Sequence, residues 1–348
     1  MSSPRRRRVV ILGGAGYCGS HFAVHLVERD LADEVLLVDL VAPSPARTTP
    51  KLAAFLASGR VSAVIGDVRR PLTIPDGPVD LLVNFAAVHR EPGHADAEYW
   101  ATNVPGAENA CALATLSGCT RQLYISSIAI YGERDEQLDE DSEPRPTTAY
   151  GASKLAAEQI HRAWVVEDPA RRLVIVRPGV VFGPGELGNV SRLIRALVRR
   201  RFAYVGPRSA RKAGIYVGEF ASAALWVLDR LTGRETLAAA EKNVVIANLT
   251  MHPAPTVEDY VRAIGAVVGR RLRIPTIPLA LALPAAMVAQ AVAVLVGRSS
   301  DWHPERLRKL TRSNDIVPKT LLASGYAFHY SLTSALQEWK ALRPDEWE

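Results

Sequence analysis

The chain has 348 residues, 48% of them hydrophobic, and a formal net charge of +6 at pH 7. That length and composition allow one large or two closely joined globular domains with a sizeable core. Three cysteines exclude a disulfide framework, and the N-terminus lacks the order of basic, apolar and small residues that marks a secretory signal. We therefore expect a soluble protein in a reducing, cytoplasmic setting.

The first half of the chain alternates short apolar, β-branched runs with longer helical patterns. Helical patterns cover residues 19–29, 98–117 and 152–167, and candidate strands lie at residues 8–12, 34–38, 61–65, 80–85, 122–126 and 173–177. Such alternation is typical of a parallel sheet covered by helices. We predict an α/β fold: a Rossmann-type doubly wound parallel sheet at 8–178 and a smaller C-terminal substrate-binding region at 179–348. The boundary is soft, and the two parts can interleave.

Basic residues are concentrated in two places. Residues 5–8 are all arginine, and we expect 1–7 to form a flexible basic tail; so short a run is more often a solvated end than a nucleic-acid anchor. The stretch 192–212 contains eight basic residues and no acidic one. It suits either a phosphate-bearing substrate or a solvated helix face.

A glycine-rich turn follows the first candidate strand. Gly13, Gly16 and Gly19 in VVILGGAGYCGSH stand between that strand and a helix. Glycines there permit a tight turn and let backbone N–H groups approach a pyrophosphate at the helix N-terminus. Asp39, twenty residues after Gly19, is placed to accept hydrogen bonds from an adenosine ribose, and its charge would repel a 2′-phosphate. The sequence therefore predicts NAD as the cofactor.

Two neighbouring features carry weaker signals. Asp67 ends the third candidate strand and is a candidate adenine contact with Val68 beneath it, although a turn-forming aspartate explains it nearly as well. Cys18 lies inside the glycine turn, where its backbone is placed to touch the cofactor and its thiol serves as a packing group. The spacing of cysteines and histidines suggests no metal site.

Three residues form a candidate reaction centre. Tyr150 and Lys154 are four residues apart at the start of a helical pattern, so they share a face. A phenol has an ordinary pKa of about 10, and a nearby ammonium favours its ionised form. Tyr150 then becomes a general base for a sugar or alcohol hydroxyl, which Ser127 at the preceding strand end would hold in place.

Several motifs together resemble the extended short-chain dehydrogenase/reductase superfamily, in its sugar epimerase/dehydratase branch. The likeness runs from about residue 9 to 339 and rests on GGAGYCG, the strand end at Asp39, NFAAVHR, TNVPGAEN, SSIAIYG, YGASK and RPGVVFGPG. The resemblance implies catalytic roles for Ser127, Tyr150 and Lys154. With the turn residues above, the expected cofactor-binding set is Gly13, Gly16, Tyr17, Cys18, Gly19, Asp39, Asp67, Val68, Phe85, Ala86, Ala87, His89, Asn103, Tyr150, Lys154 and Pro178.

The resemblance also implies where a substrate binds. Asn189 resembles an asparagine that contacts the substrate diphosphate, and Lys212 stands where the branch often carries an arginine. A lysine supplies the charge without the bidentate fork, and both residues have an ordinary surface role as the alternative. Ser127 would contact the sugar itself. A homodimer formed through two long helices is a further implication of the likeness.

The two residues after Ser127 narrow the reaction. Relatives that dehydrate sugars place Asp-Glu there, decarboxylases use a glutamate at the second position, and 3,5-epimerases use a cysteine. This chain has Ile128 and Ala129, which transfer no proton. The remaining chemistry is 4-epimerisation of a diphosphate-activated sugar such as a UDP-hexose or UDP-N-acetylhexosamine. A net keto-sugar or sterol oxidoreductase and a non-catalytic dinucleotide-binding scaffold remain as alternatives.

One apolar segment bears on the carrier of the sugar. Residues 274–297 contain no charged side chain, whereas arginines stand at 270, 271, 273 and 298. The segment is long enough to span a bilayer, but Pro275, Pro278, Pro284 and Gln290 interrupt it, so a buried or interfacial helix is favoured. A polyprenyl-diphosphate-linked sugar, handled through peripheral membrane contact, is therefore the alternative substrate.

Overall fold

The fold is described from a computed structural model. The description covers residues 7–44, 49–89, 93–232, 243–270, 274–278, 280, 281, 284, 287 and 312–348. Of the tail predicted at 1–7, only Arg7 lies in these ranges. Its backbone N–H donates to the Asp33 carboxylate at 2.7 Å, so this residue is anchored rather than free.

Within the described residues, seven strands form the main sheet, and every neighbouring pair runs parallel. In spatial order they are β10 (Val244–Leu249), β6 (Arg172–Pro178), β5 (Arg121–Ile125), β4 (Leu81–Asn84), β1 (Arg8–Leu12), β2 (Glu34–Asp39) and β3 (Val61–Ile65). The chain order reverses between β1 and β4. In such sheets ligands bind at this switch point, outside the carboxyl ends of the strands.

Helices cover both faces of the sheet. Those assigned within the described ranges are α1 (Tyr17–Glu28), α2 (Pro50–Ala57), α3 (Asp96–Leu116), α4 (Ala149–Val166), α5 (Asn189–Val198), α6 (Val217–Thr232), α7 (Val257–Val268), α8 (Lys319–Ala323) and α9 (Leu332–Leu342). Successive residues of β1 point to opposite faces. Ile11 belongs to the apolar cluster that includes Phe22 of α1, and Val10 belongs to the second cluster, which includes Trp164 of α4. This layering confirms the predicted fold class.

The six predicted strands are present, with ends shifted by one residue at most, whereas the seventh strand of the sheet was not predicted. The strand β10 lies beyond the predicted domain at 8–178, yet it pairs with β6 along the register Val244 to Leu173 through Leu249 to Pro178. The helix α6 packs against the same sheet beside α1. The second half of the chain therefore contributes part of the Rossmann unit.

The remaining second half forms a smaller layer beside the carboxyl edge of the sheet. Two short parallel pairs occur there: β7 (Val180–Phe182) with β9 (Gly214–Tyr216), and β8 (Tyr204–Val205) with β11 (Thr276–Ile277). The helices α5, α7 and α9 pack together around a third apolar cluster. The basic stretch 192–212 starts in α5 but leaves it after Val198, so it is not one helix face.

Most of the apolar segment 274–297 lies outside the described residues. Residues 276 and 277 form β11, and 280, 281, 284 and 287 are helical and exposed. Of the two alternatives predicted for this segment, the buried helix does not hold at these four positions, and the interfacial helix stays a prediction. Among the helices that the structure describes, none is long and apolar enough to cross a membrane.

Candidate active site

The glycine-rich turn lies at the carboxyl end of β1 and leads into α1. The N–H of Gly13 donates to the carbonyl of Val38 at 2.8 Å, which ties the turn to β2. Gly13 has a φ of +73°, and a Cβ there would lie 2.7 Å from the Ala86 nitrogen. A Cβ on Gly19 would lie 2.5 Å from the Gly13 carbonyl oxygen. Glycine at both positions keeps the backbone close-packed and uncovered, as a pyrophosphate cradle requires.

The amino end of α1 has the properties of an anion-binding position. Gly16 occupies the N-cap without a side-chain hydrogen bond, and the first turn holds no acidic residue. The first-turn N–H groups of such a helix attract negative charge. The side chain of Tyr17 packs against the apolar cluster of the smaller layer, where a Cβ on Gly183 would lie 3.0 Å from its hydroxyl. That hydroxyl is buried and has no hydrogen-bond partner in the described part of the chain.

Asp39 ends β2 next to the turn. One of its carboxylate oxygens accepts a hydrogen bond from the Ala15 N–H at 2.9 Å, and the other accepts from the Leu40 N–H at 2.7 Å. These bonds fix the carboxylate, which is partly exposed. Each oxygen has a further lone pair for a hydroxyl donor. The geometry suits the predicted contact with a ribose.

The loop after β4 is shaped by two buried asparagines. The Oδ1 of Asn84 accepts from the Ala86 N–H at 3.1 Å. The Oδ1 of Asn103, on α3, accepts from the Val88 N–H at 2.9 Å, while its Nδ2 donates to the Ser153 Oγ at 2.9 Å. Asn103 therefore fixes this loop to α4. Through these bonds it positions the loop that is predicted to line the cofactor.

The other predicted cofactor residues occupy varied positions. The ring of Phe85 is partly buried and packs against the core, 5.6 Å from the Phe22 ring. Asp67 is held by Arg69 at 2.7 Å, and this hydrogen-bonded guanidinium lowers the pKa of the carboxyl. Val68 is buried beneath α3. At the ends of β4 and β6 lie Ala87, His89 and Pro178.

The three predicted catalytic residues lie on two adjoining elements. Ser127 follows β5, and its Oγ accepts a hydrogen bond from the Ala129 N–H at 3.1 Å. Tyr150 and Lys154 lie in the first two turns of α4. A Cβ on Gly151 would lie 2.4 Å from the Ala129 carbonyl oxygen. The start of α4 is therefore packed directly against the turn that follows Ser127.

Lys154 is anchored below this junction. Its Nζ donates to the Ile125 carbonyl at 2.7 Å and lies 4.4 Å from the centre of the Tyr124 ring. The residue is 2% exposed, and this burial lowers its pKa to about 7, against an opposing effect of Glu158. A lysine with such a pKa changes charge near neutral pH. Its ammonium form favours a phenolate at Tyr150.

A buried polar network behind the reaction centre was not predicted from the sequence. Glu158 pairs with Arg177 of β6 through two hydrogen bonds of 3.0 and 2.7 Å. The Nη1 of Arg177 donates to the Tyr131 hydroxyl at 2.9 Å, and that hydroxyl donates to the Asn248 Oδ1 at 2.9 Å. The sequence held one indication of this network: Glu158 lies one helical turn beyond Lys154, so the two residues share a face of α4.

The predicted diphosphate contacts lie in the smaller layer. The Nζ of Lys212 donates to the Arg312 carbonyl at 2.6 Å, and burial lowers the Lys212 pKa to about 8 against the opposing charge of Glu133. Arg312 and Glu133 form an ion pair, and sequence reasoning missed both. Asn189 is exposed at the start of α5 and accepts a hydrogen bond from the Arg192 Nη2 at 2.7 Å.

The sequence suggested no metal site, and the structure allows the side chains to be compared in space. In the described ranges, no group of three or more histidine, cysteine, aspartate or glutamate residues is arranged to hold a metal ion. The three cysteines are free, and burial raises the pKa of the Cys18 and Cys111 thiols to about 12. Thiols with such pKa values stay protonated and act as packing groups.

A doubly wound sheet, a glycine turn at its switch point and a tyrosine–lysine pair at the same edge define a dinucleotide-dependent enzyme. The model of the NAD dependent epimerase/dehydratase family matches residues 9–239. The chain belongs to this family. It is an NAD-dependent epimerase of the extended short-chain dehydrogenase/reductase type, as the motifs predicted.

Similar proteins agree with this assignment. The N-acetyl-alpha-D-glucosaminyl-diphospho-ditrans,octacis-undecaprenol 4-epimerase of Escherichia coli O157:H7 is 26% identical over 275 residues, 78% of this chain and 80% of that protein. The UDP-glucose 4-epimerase of Streptomyces lividans is 27% identical over 86% of this chain and 92% of its own length. The fold matches that of UDP-glucuronic acid 4-epimerase from Bacillus cereus in complex with NAD, with a TM-score of 0.71, 16% identity, and coverage of 98% and 100%.

Proposed function

We propose that the enzyme is a 4-epimerase of a diphosphate-activated sugar, a UDP-hexose or UDP-N-acetylhexosamine. The observation that carries the proposal is the identity and packing of the two residues after Ser127. Ile128 is buried, and the carbonyl of Ala129 lies against α4. Neither residue transfers a proton, so the centre has hydride chemistry at one carbon without the acid–base pair of dehydration. The names of the Streptomyces and Bacillus relatives support this choice.

The reaction follows from the positions of the three catalytic residues. NAD, when bound, supplies a hydride acceptor that later returns the hydride. Tyr150, as the phenolate, takes the proton of the C4 hydroxyl while Ser127 hydrogen-bonds the same oxygen. Once the 4-keto sugar has turned to present its opposite face, Tyr150 would give its proton back to the C4 oxygen. The complete cycle consumes no external reductant, because the hydride removed from C4 is returned to it.

The sugar must turn while the carrier stays fixed. Lys212, with its Nζ held by the Arg312 carbonyl, supports the grip at the diphosphate end. Its pKa of about 8 leaves it mostly cationic at neutral pH. A firm contact at one end with a loose one at the other lets both faces of C4 reach the same hydride position.

Two alternatives to this function remain, and the name of a relative supports the first of them. The Escherichia coli relative is named for a polyprenol-linked sugar, which favours a lipid carrier as the second candidate substrate. A net NAD(H)-dependent oxidation or reduction of a keto-sugar or sterol uses the same Ser127, Tyr150 and Lys154. It differs in consuming one equivalent of cofactor per product.

The test is proton NMR of the purified enzyme with UDP-glucose, UDP-N-acetylglucosamine and a polyprenyl-diphosphate N-acetylglucosamine, with no NAD or NADH added. We expect a C4-inverted product from at least one UDP-sugar and no change in bound NAD. Conversion of the lipid-linked sugar alone would select the second substrate. Product formed only with stoichiometric NADH would refute epimerisation.

A matched pair of variants assigns the base. We expect Tyr150→Phe to lower kcat by about 10²–10⁴ because it removes the general base. Tyr326→Phe removes the same atom from a residue that shares a cavity with Asp80 and Arg121, at the amino ends of β4 and β5. That control should keep wild-type turnover. Equal loss in both variants would contradict the role of Tyr150.

A further inference from the structure

We propose that His161 is a positioning residue for the predicted cofactor loop and acts through the side chain of Asn84. His161 lies on α4, about two turns beyond Lys154. Its imidazole belongs to a buried polar cluster that takes no part in the proposed reaction. The cluster comprises Asn84, Cys111, Gln122 and His161, each at most 8% exposed. The inference goes beyond the proposed function, since it concerns the cofactor and holds for either sugar carrier.

The orientation of the Asn84 amide is decided by a backbone group that can only donate. The N–H of Ala86 donates to the Asn84 Oδ1 at 3.1 Å. An asparagine amide accepts at its oxygen and donates at its nitrogen, so this bond fixes which way the amide points. The Nδ2 of Asn84 consequently faces His161 and lies 3.3 Å from its Nε2. Because Nδ2 donates, Nε2 must accept.

The acceptor role of Nε2 determines the tautomer of His161. A neutral imidazole carries one N–H, so the proton lies on Nδ1. That nitrogen is 2.6 Å from the Gln122 Oε1, which accepts the hydrogen bond. The Cys111 Sγ, 3.5 Å from the same nitrogen, is a weak acceptor and agrees with this assignment. A proton on Nε2 would instead oppose the N–H groups of Asn84, and a buried donor would lose its partner.

The surroundings keep the imidazole neutral. The ring is fully buried, and burial together with the nearby charge of Lys154 lowers the pKa of His161 to about 3. The imidazole also stacks on Tyr124, with 4.3 Å between the ring centres, and the Lys154 Nζ lies 4.4 Å from the centre of the same Tyr124 ring. A second positive charge here would oppose the ammonium that favours the Tyr150 phenolate.

The hydrogen bond made by Ala86 lies beside the predicted pyrophosphate cradle. The N–H of Phe85 donates to the last carbonyl of β1 at 2.8 Å, and the chain leaves the sheet at the next residue. A Cβ on Gly13 would lie 2.7 Å from the Ala86 nitrogen, so the loop backbone packs against the glycine-rich turn. By fixing Asn84, His161 therefore holds this loop beside the turn.

NMR of the full chain tests the tautomer directly. Long-range proton–nitrogen correlation spectra of protein with isotopically labelled histidine distinguish the two ring nitrogens. The chain has eight histidines, and the signal that is lost in His161→Gln belongs to His161. At neutral pH we expect the pattern of an uncharged ring protonated at Nδ1. A ring protonated at Nε2, or at both nitrogens, would overturn the proposal.

Hydrogen exchange and NAD binding test the positioning role. The variant His161→Phe keeps an aromatic ring but removes both nitrogens, so the Asn84 Nδ2 loses its acceptor. We expect the Ala86 amide to exchange at least about tenfold faster and the affinity for NAD to fall about tenfold, because the loop is less firmly held. The Val88 amide, which donates to Asn103 at 2.9 Å, should keep its protection and serves as the internal reference.

The control is His25→Phe, which removes another hydrogen-bonded imidazole. His25 lies in the last turn of α1, away from the glycine-rich turn, and its Nε2 is 3.2 Å from the Ser222 Oγ. This variant should bind NAD and protect the Ala86 amide as the wild type does. Unchanged exchange at Ala86 or unchanged NAD affinity in His161→Phe would overturn the proposal. Equal loss of protection at Ala86 and Val88 would also overturn it, because it would show general loosening of the fold. None of these measurements uses a sugar, so they are independent of the proposed function.

Discussion

The amino group of Lys154 is almost completely buried from solvent. It is 2% exposed, and a backbone carbonyl, the face of Tyr124 and the nearby charge of Glu158 stabilise its ammonium. Burial of an ammonium with so few partners is unfavourable, which is why the pKa falls to about 7. The residue is therefore placed for chemistry at the expense of stability. It acts on Tyr150 only in the protonated form.

This cost gives a pH-dependent prediction. Between about pH 7 and 10 the unfolded chain binds a proton at Lys154 that the folded chain does not. The unfolding free energy of the wild type should therefore rise with pH in this window, relative to Lys154→Met, by up to about 1.4 kcal/mol per pH unit. Urea unfolding of both proteins at several pH values measures the difference. Parallel pH profiles would contradict the lowered pKa.

At the scale of elements, the Glu158–Arg177 pair joins the parts that carry the reaction centre. It connects α4 with β6, and through Tyr131 and Asn248 it extends to the turn after Ser127 and to β10. Both charged side chains are at most 4% exposed. In such surroundings an unpaired charge is far less favourable than a satisfied pair.

We therefore predict that replacing both residues destabilises the protein less than replacing Arg177 alone. Arg177→Met alone should lower the unfolding free energy by about 3–5 kcal/mol, because it leaves the Glu158 carboxylate buried without its partner. Glu158→Leu combined with Arg177→Met should be more stable than Arg177→Met, since no charge remains. Urea unfolding of the three proteins decides. A double variant that is the least stable would rule out this account.

The parts of the site that could be predicted are local in sequence. The glycine turn follows from the spacing of Gly13, Gly16 and Gly19, and the pair Tyr150 and Lys154 from one helical turn. The Arg312–Glu133 ion pair joins residues 179 positions apart, and no periodicity reports such a contact. The same limit hid the link between Tyr131 and Asn248, which are 117 positions apart.

The prediction of strands is limited in the same way, because pairing between distant segments is not visible in the sequence. The strands β1 to β6 were predictable because each apolar run is bounded by turn residues, and a helix separates every consecutive pair except β3 and β4. The run at 244–249 has the same composition, but it follows a looser stretch of chain and was not assigned. Its pairing with β6 is decided by the free edge of the sheet, which is a tertiary property.

For the whole molecule, the predicted division at residue 178 does not coincide with the end of the main sheet. The sheet needs β10, and its face beside α1 needs α6, whose Phe220 and Val227 are fully buried in the core. A chain cut at 178 loses both. The smaller layer and the Rossmann unit therefore share one stretch of sequence rather than standing in succession.

This sharing predicts the behaviour of a fragment. Residues 1–178 alone would expose the β6 edge and the apolar surface that α6 covers. We expect the fragment to lack the cooperative thermal transition of the full chain in circular dichroism and to aggregate. A sharp transition with native-like helix content would show that the first half folds by itself.

The late origin of β10 also affects how the protein is made. A ribosome adds about 5–20 residues per second, so the 71 residues after Pro178 that end with Leu249 take about 4–14 seconds. During that time β6 is the last strand of a nascent sheet, and its outer edge offers free N–H and C=O groups to other chains. Because the missing strand lies so far along the message, synthesis rate and chaperone access become determinants of yield.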